Sequence, residues 1–359
     1  MKRLLVCLAA AAALLRSVPA GAVIGALDVV PAATLLLPYF EVDLEDPNRV
    51  DTTFTINNAA SDAIIAHVTL WTDWAVPTLV FDIPLTGYDA EQLYLRSVFL
   101  GLLPEAAVPS NLSPAQVQHL QAAHTGVASA IFGGLCAARA YGDHVARGYV
   151  TVDTVRAPDP RNPTQPGYFG AGGTGLATNT NLLWGDYALI RRQSHSAIGE
   201  SLVHIEAADT VTGSNTFYSR YVAGGVDNRE PLTSTWAGRF VLGGVFNGGT
   251  DLLIWRDPGV AQNPVVCGSS PPWFPLGQSQ VVIFDEEENS QMPAAGFPFP
   301  AAANRTPVGS ALPSPFPFGW LFLDLSVPPT VRQAYVTVVM SANDRFQVGL
   351  RALQLRGTQ

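Results

Sequence analysis

The chain has 359 residues and a formal net charge of −9, with 29 acidic and 20 basic residues. This acidic balance and the lack of any basic run argue against binding to nucleic acid or to anionic membranes, because both require clustered lysine and arginine. The 32 glycines and 28 prolines predict many turns and few long helices.

The first predicted element is an export signal. Basic residues Lys2 and Arg3 precede an apolar run from Leu4 to Leu15, and the small-residue run Ala20-Gly21-Ala22 follows. This order is that of a secretory signal peptide, so we expect residues 1–22 to be cleaved. The apolar run is shorter than the ~20 residues that span a bilayer, and no later run is long and apolar enough. We therefore expect export to the periplasm or the extracellular space, without a membrane span in the mature chain.

Five short segments in the first half either alternate apolar and polar residues or are rich in β-branched and aromatic ones. These predicted strands are residues 34–41, 52–57, 63–71, 78–84 and 92–99. Pro38 within the first of them predicts an edge strand or a bulge, because proline cannot donate to a sheet ladder. The spacing of the strands is typical of an antiparallel sandwich or barrel.

One helical region follows these strands. Ser113 is a favourable N-cap and Pro114 fits the first helical position, so the sequence predicts a helix that runs to about His124 and stops at Gly126. A second short helix is expected near residues 129–141. The two together form a small helical insertion near residues 113–141.

The rest of the chain again predicts strands, with a Pro- and Gly-rich loop at residues 158–175 as a candidate boundary. The predicted strands are residues 146–157, 181–192, 201–207, 216–222, 238–246, 251–257, 279–289, 319–326, 333–341 and 345–355. The chain exceeds the ~250–300 residues that one core usually serves. We therefore predict an all-β, antiparallel β-sandwich fold. Its N-terminal β unit would span residues 23–157 and its C-terminal β unit residues 158–359, either as two packed sandwich units or intertwined as one domain.

Cys136 and Cys267 are the cysteines that remain once the signal peptide and its Cys7 are removed. In an oxidising compartment such a pair predicts a disulfide. Closing so long a loop contributes roughly 4–5 kcal/mol in the chain-entropy model. Two separate buried thiols are the alternative.

The segment "LWTDW", residues 70–74, carries two tryptophans beside a carboxylate. Trp71 and Trp74 could form an aromatic platform that binds a sugar ring. The alternative is that one packs in the core and the other covers a corner of the sheet. The pattern favours packing, since aromatic side chains dominate core energetics.

Two acidic clusters are the strongest polar features of the sequence. Asp43, Asp46 and Asp51 lie in the first, and Asp285 and Glu287 in the second. Calcium binds six to eight hard oxygens, often carboxylates from a loop, so both clusters are candidate calcium sites, the first being preferred. Neither has the spacing of an EF-hand loop. The alternative is a solvated acidic turn that keeps sheet edges unpaired.

Familiar catalytic motifs are missing from the sequence, which contains no G-x-S-x-G, H-E-x-x-H or C-x-x-C. We therefore assign no catalytic residue. The sequence favours an exported, non-catalytic binding or structural protein of the cell envelope or extracellular space, with a surface glycan or a protein as its partner. The alternative is a secreted carbohydrate-active hydrolase that uses a carboxylate pair, for which the chain has many acidic residues and seven tryptophans.

Several segments together resemble a family of exported bacterial β-rich proteins with no known activity. They include "LLPYFEVDL", "VTLWTDWAVPTLVFDIPLTGYD", "GGTDLLIWRD" and "VIFDEEEN". The likeness covers nearly the whole mature chain. It implies export and a β-rich fold, favours one intertwined unit over two independent domains, and transfers no site residue.

Overall fold

The structure is a computed structural model that describes residues 30–213, 215–222, 226–257, 267–268, 281–292, 301–310, 313–326, 333–343 and 345–354. The predicted signal peptide, residues 1–22, lies outside these ranges, so its cleavage stays a prediction. Within them, no helix is both long enough and apolar enough to cross a membrane.

Residues 30–213 form ten strands and two short helices. The strands are β1 (Thr34–Asp43), β2 (Asp51–Asn58), β3 (Ile64–Thr72), β4 (Pro77–Leu85), β5 (Ala90–Tyr94), β6 (Val145–Val155), β7 (Leu183–Trp184), β8 (Asp186–Arg191), β9 (Ser196–Ser201) and β10 (Val203–Ile205). The helices are α1 (Leu95–Phe99) and α2 (Pro114–Thr125), and a 3-10 turn spans Ala171–Gly173.

The described residues that follow form nine further strands. They are β11 (Thr235–Val241), β12 (Gly249–Arg256), β13 (Val281–Phe284), β14 (Ser290–Gln291), β15 (Ala303–Pro307), β16 (Phe318–Asp324), β17 (Ala334–Ala342), β18 (Phe346–Arg351) and β19 (Leu353–Gln354). The predicted hairpin at the end of the chain is confirmed, because β17 and β18 pair antiparallel from Thr337–Arg351 to Ala342–Phe346.

The strands form four sheets, in which every ladder between them is antiparallel. The first has the order β10-β1-β6-β3-β4, and the second has the order β5-β2-β8-β9 with β7 paired to β2. The third has the order β14-β13-β16-β11-β19, and the fourth has the order β15-β12-β17-β18. Strands account for 46% and helices for 7% of the structure, which confirms the predicted all-β sandwich-type fold with a small helical part.

Strand β1 is an interior strand, although its proline suggested an edge. It lies between β10 and β6. The pairing with β6 shifts register between Leu37 and Phe40, around Pro38. The shift removes the proline, which has no N–H group, from the regular ladder. The predicted bulge is therefore confirmed, and the predicted edge position is wrong.

Strands from both sides of the loop at residues 158–175 share sheets and a core. β10 pairs with β1 in the first sheet, and β8 pairs with β2 in the second. One core cluster contains Trp71 and Tyr149 together with Trp236 and Tyr335. Strands from both sides of the candidate boundary between residues 157 and 158 thus pair in the same sheets. This is the arrangement expected for one intertwined domain.

A cluster of charged side chains joins strands of different sheets. Glu41 Oε2 on β1 accepts hydrogen bonds from Arg191 at 2.7 Å and from Arg305 at 3.1 Å. Arg305 on β15 also pairs with Asp251 on β12 at 2.6 Å. Because Glu41 is buried, its charge requires these partners. These ion pairs connect the first and second sheets to the fourth.

Helix α2 forms for the local reasons read from the sequence. The Ser113 side chain accepts from the N–H of Gln116 at 3.3 Å, and the Gln116 side chain accepts from the N–H of Ser113 at 2.9 Å. Gly126 closes the helix in the left-handed conformation, with φ of 75°. This reciprocal cap satisfies two of the N–H groups that a helix start leaves unpaired. The predicted first helix is confirmed.

Residues 92–99, predicted as one strand, divide into the end of β5 and the helix α1. The buried residues of α1 are Leu95, Val98 and Phe99. Their spacing of three and four residues is that of a helix face. The strand prediction is therefore wrong beyond Tyr94.

Two other predicted elements are also absent from the described chain. Residues 129–141 form turns, because Gly133 and Gly134 adopt φ of 77° and 146°, which a helix does not permit. Residues 216–222 form turns instead of a strand. There the Asp227 carboxylate accepts from the Thr216 hydroxyl at 2.8 Å and from the Tyr218 N–H at 2.7 Å, which bends the segment.

The predicted disulfide is present. Cys136 and Cys267 are joined by an S–S bond of 2.08 Å. Both are buried and pack with Val76 and Ala123. The bond connects the segment after α2 to the second half of the chain.

Candidate functional site

The two tryptophans of "LWTDW" are buried. Trp71 stacks on Tyr149 with ring centroids 5.6 Å apart, and its Nε1 donates to Thr151 Oγ1 at 2.9 Å. Trp74 is 6% exposed. A cavity beside Trp71 has a volume of about 10 Å³, which is the size of one water molecule. Neither indole offers the exposed face that a sugar ring requires, so the structure favours the packing alternative for Trp71 and Trp74.

Asp73, between the two tryptophans, is buried and hydrogen-bonded to other segments of the chain. Its carboxylate accepts hydrogen bonds from the Tyr141 hydroxyl and from the N–H of Ala138 at 3.2 Å. Its carbonyl oxygen accepts from the N–H of Ala302 at 2.7 Å. Burial raises the pKa of Asp73 from 3.8 to about 6, because low dielectric disfavours the charged carboxylate. Through Asp73, the segment "LWTDW" is hydrogen-bonded to Ala138 and Tyr141 and to Ala302, so its role is structural.

Asp73 should make stability fall as pH rises. Its raised pKa means that the folded protein keeps a proton between about pH 4 and pH 6 that the unfolded chain has lost. A difference of about two pKa units corresponds to about 3 kcal/mol. The variant Asp73→Asn, which carries no titrating group there, should therefore gain about 3 kcal/mol relative to the native protein over this window. Denaturant unfolding of both proteins at several pH values measures the difference.

Comparing the two proteins cancels the other titrating groups. Burial lowers the pKa of His124 to about 4, which makes stability rise with pH in a similar window, but His124 is common to both. Parallel stability curves for the native protein and Asp73→Asn would contradict the prediction.

The carboxylates of the first acidic cluster accept hydrogen bonds mainly from the backbone of their own turn. Asp43 Oδ1 accepts from two backbone N–H groups of the following turn, at 3.0 and 2.8 Å, and its Oδ2 pairs with Arg49 at 3.2 Å. Asp46 accepts from a backbone N–H two residues on, at 2.8 Å, and Asp51 accepts from the next N–H at 2.8 Å. These carboxylates act as turn caps.

In the second acidic cluster the first residue, Asp285, also caps its own turn. Asp285 Oδ1 accepts from the N–H of Glu287 at 3.0 Å and of Asn289 at 2.8 Å. The hydrogen bond from the Asn289 side chain lowers the pKa of Asp285. In the described ranges, no three His, Cys, Asp or Glu side chains converge as metal ligands would. Calcium binding at either cluster stays a prediction without a supporting geometry there.

An exposed aromatic row lies on the outer face of β16. Phe318 and Trp320 are 42% and 39% exposed, whereas Leu321 and Leu323 are buried. Phe322 is half-buried. Successive side chains of a strand point to opposite faces. Phe318, Trp320 and Phe322 therefore share the outer face, and we call them the aromatic row.

Trp320 lies at the centre of this face, between β13 and β11. In the register of the sheet it is opposite Phe284 on one side and Arg239 on the other. The guanidinium carbon of Arg239 is 5.0 Å from the Trp320 ring centroid, which is a cation–π distance. The exposed indole is thus held on the sheet beside a cation.

A groove of about 350 Å³ lies along this face. Aromatic and acidic side chains line it, namely Phe284, Trp320, Phe322, Asp285, Glu286 and Glu288. Its volume is within the range of small-molecule sites. It combines aromatic rings with the carboxylates of the adjacent turn.

Gly319 allows the acidic turn after β13 to approach the groove. A Cβ atom at position 319 would lie 1.9 Å from the carbonyl oxygen of Phe284 and 3.2 Å from Cα of Asp285. Only glycine fits so close to another backbone. Glu286 and Glu288 of this turn line the groove, whereas Glu287 between them does not.

The sequence predicted the strand that bears this site but not the site itself. Of the predicted site residues only Asp285 lines the groove, and Trp320 and Glu286 were missed. The available signal was the alternation of Phe318, Trp320 and Phe322 with glycine and leucine. Because this strand is apolar at nearly every position, the alternation did not show which face stays exposed.

Comparisons with known proteins identify no relative. No family model matches the chain, and no curated protein or solved structure is significantly similar to it. A function must therefore be inferred from the structure itself.

Proposed function

We propose that the protein is an exported, non-catalytic binding protein of the cell envelope or extracellular space, and that it binds a surface glycan in the groove on β16. The observation that carries this proposal is the exposed indole of Trp320, fixed on a sheet and flanked by carboxylates. A sugar presents an apolar ring face that packs on an aromatic ring, and hydroxyls that donate to carboxylates.

Export is supported by two independent features. The N-terminal sequence has the order of a signal peptide. The disulfide between Cys136 and Cys267 is of a kind that persists in oxidising compartments and is rare in the cytosol.

A hydrolase that uses a carboxylate pair is less favoured. Such an enzyme requires a general acid whose pKa is raised toward neutrality. At the groove, Asp285 has the opposite property, because the hydrogen bond from Asn289 lowers its pKa. Both its oxygens cap the turn. Asp285 is therefore an ionised turn cap.

Replacing Trp320 by alanine should weaken glycan binding strongly. A central aromatic anchor contributes about 2 kcal/mol or more to binding, which corresponds to a loss of roughly thirtyfold in affinity. Titration calorimetry with a panel of soluble polysaccharides measures the loss. Trp184→Ala is a matched control, because Trp184 is 41% exposed but lies on β7, outside the groove.

Three outcomes would contradict the proposal. One is that no glycan of the panel binds the native protein. Another is that Trp184→Ala and Trp320→Ala weaken binding equally. The third is the release of new reducing ends from a bound glycan, which would indicate a hydrolase.

A further inference from the structure

A small polar cavity lies between the first and fourth sheets, apart from the groove on β16. Tyr149 on β6 of the first sheet and Trp255 on β12 of the fourth line it, and side chains from the turns at residues 216–222 form a further wall. Its volume is about 10 Å³. We infer that this cavity binds a single water molecule, which bridges Arg220 to Trp255 and Asp257.

Arg220 brings a positive charge to this cavity. Its side chain is 7% exposed, and its guanidinium carbon lies 4.0 Å from the ring centroid of Tyr221. Asp257 Oδ1 is 3.5 Å from Arg220 Nη1, which is an ion-pair distance but is longer than a normal hydrogen bond. Both Nη atoms are buried, and neither donates a hydrogen bond to a described residue. Because a buried charged donor without an acceptor is costly, the guanidinium requires a small acceptor at this place.

The indole Nε1 of Trp255 is a second buried donor at the same cavity. It too donates no hydrogen bond to a described residue. Burial raises the pKa of Tyr149, whereas the neighbouring Arg220 and Trp255 side chains act to lower it. The Tyr149 hydroxyl therefore lies near both donors, although neither contact has the geometry of a hydrogen bond. Two donors from separate segments of the chain thus converge on one small space.

Water suits this cavity better than an ion does. A buried water needs a space of about 10–15 Å³ and two to four polar partners. Arg220 and Trp255 would donate to its oxygen, and it would donate in turn to the Asp257 carboxylate. An anion could accept from the same two donors, but the Asp257 carboxylate already balances the guanidinium charge and repels a second negative group. A cation would be repelled by Arg220.

Nuclear magnetic resonance of the native protein tests the inference directly. The indole proton of Trp255 should show a dipolar cross-peak with water, and a rotating-frame experiment separates this contact from hydrogen exchange by its sign. Trp236 is the matched control, because its Nε1 is likewise buried without an acceptor among the described residues, but Trp236 does not line the cavity. It should show no such cross-peak.

The variant Arg220→Met should weaken the Trp255 cross-peak strongly. Methionine fills a similar space but has no donor, so the water loses its charged partner. An undiminished cross-peak in this variant would overturn the role of Arg220. If the variant does not fold, the comparison of Trp255 with Trp236 in the native protein still decides.

Three further results would overturn the inference. One is that the native protein shows no cross-peak at Trp255. Another is that Trp255 and Trp236 give equal cross-peaks, which would mean that water enters the core without a specific site. The third is a saturable shift of the Trp255 indole resonance when chloride replaces sulfate at constant ionic strength, which would indicate an anion site.

Discussion

Replacing Cys136 and Cys267 together by serine should lower the free energy of unfolding by about 5 kcal/mol. The two cysteines are 131 residues apart in sequence. Without the cross-link the unfolded chain gains the conformational freedom of this long loop, and that gain grows with the logarithm of loop length. Since native proteins are stable by only ~5–15 kcal/mol, the loss is a large part of the total. Denaturant unfolding of the native protein and the double variant measures it.

A reductant provides the control for this variant. It should destabilise the native protein to about the level of the double serine variant, and it should leave the variant unchanged. The N–H of Gly268 donates to the carbonyl oxygen of Leu135 at 2.8 Å. Equal unfolding midpoints for the variant and the native protein would mean that such local contacts, and not the covalent bond, hold the two segments together.

Replacing Arg229 by alanine should cost about 3–5 kcal/mol of stability. Its side chain is 1% exposed. The guanidinium donates to the carbonyl oxygens of Asp227 at 2.7 Å and Thr178 at 2.8 Å, and to Thr34 Oγ1 at 3.1 Å. It also lies 3.9 Å from the buried carboxylate of Asp153. Truncation leaves a buried charge and several acceptors without their donor, each of which costs desolvation energy.

Arg161→Ala is the matched control for Arg229→Ala. Arg161 pairs with Asp159, two residues away, and its side chain is 39% exposed. An exposed local pair contributes little to stability, so Arg161→Ala should lose far less than Arg229→Ala. Chemical unfolding of both variants gives the comparison. Similar losses for the two would show that the buried network around Arg229 does not stabilise the fold as its geometry requires.

Elements whose signals are local could be predicted from the sequence. Ser113, Pro114 and Gly126 specify both ends of α2 without reference to the rest of the chain. The alternation in β17 and β18 likewise specified a hairpin, and Pro38 a bulge. The disulfide followed because the mature chain contains one possible pair. In each case the deciding interactions lie within a few residues, or the chain offers no second solution.

Elements that depend on tertiary neighbours could not be predicted. Leu95, Val98 and Phe99 are apolar enough for a strand, and only the core that buries all three selects a helix. Thr216 and Tyr218 form a turn because Asp227, which lies nine residues beyond Tyr218, binds both of them. A pattern of apolar residues specifies that a side chain is buried, but not which partner buries it.

The candidate site shows the same limit of prediction from the sequence. Trp71 and Trp320 both lie on strands with apolar neighbours. Trp71 is covered because Tyr149 and Tyr221 stack on it, whereas Trp320 keeps 39% of its surface exposed. Which sheet face is covered is decided by how the sheets pack, and periodicity carries no information about that. Similarly, the acidic turn was recognised, but the lining residues Glu286 and Glu288 could not be distinguished from Glu287.

The interior position of β1 has a kinetic consequence. Both of its neighbours come much later in the chain, β6 at Val145–Val155 and β10 at Val203–Ile205. Such non-local pairing must overcome loop-closure entropy before any contact forms, so the contact order is high and folding is slow. A fragment that ends at residue 157 would expose one edge of β1 and one of β2, and unpaired edges promote aggregation. The first sheet therefore cannot be completed until residue 205 is available, and the unpaired edge of β1 stays exposed until then.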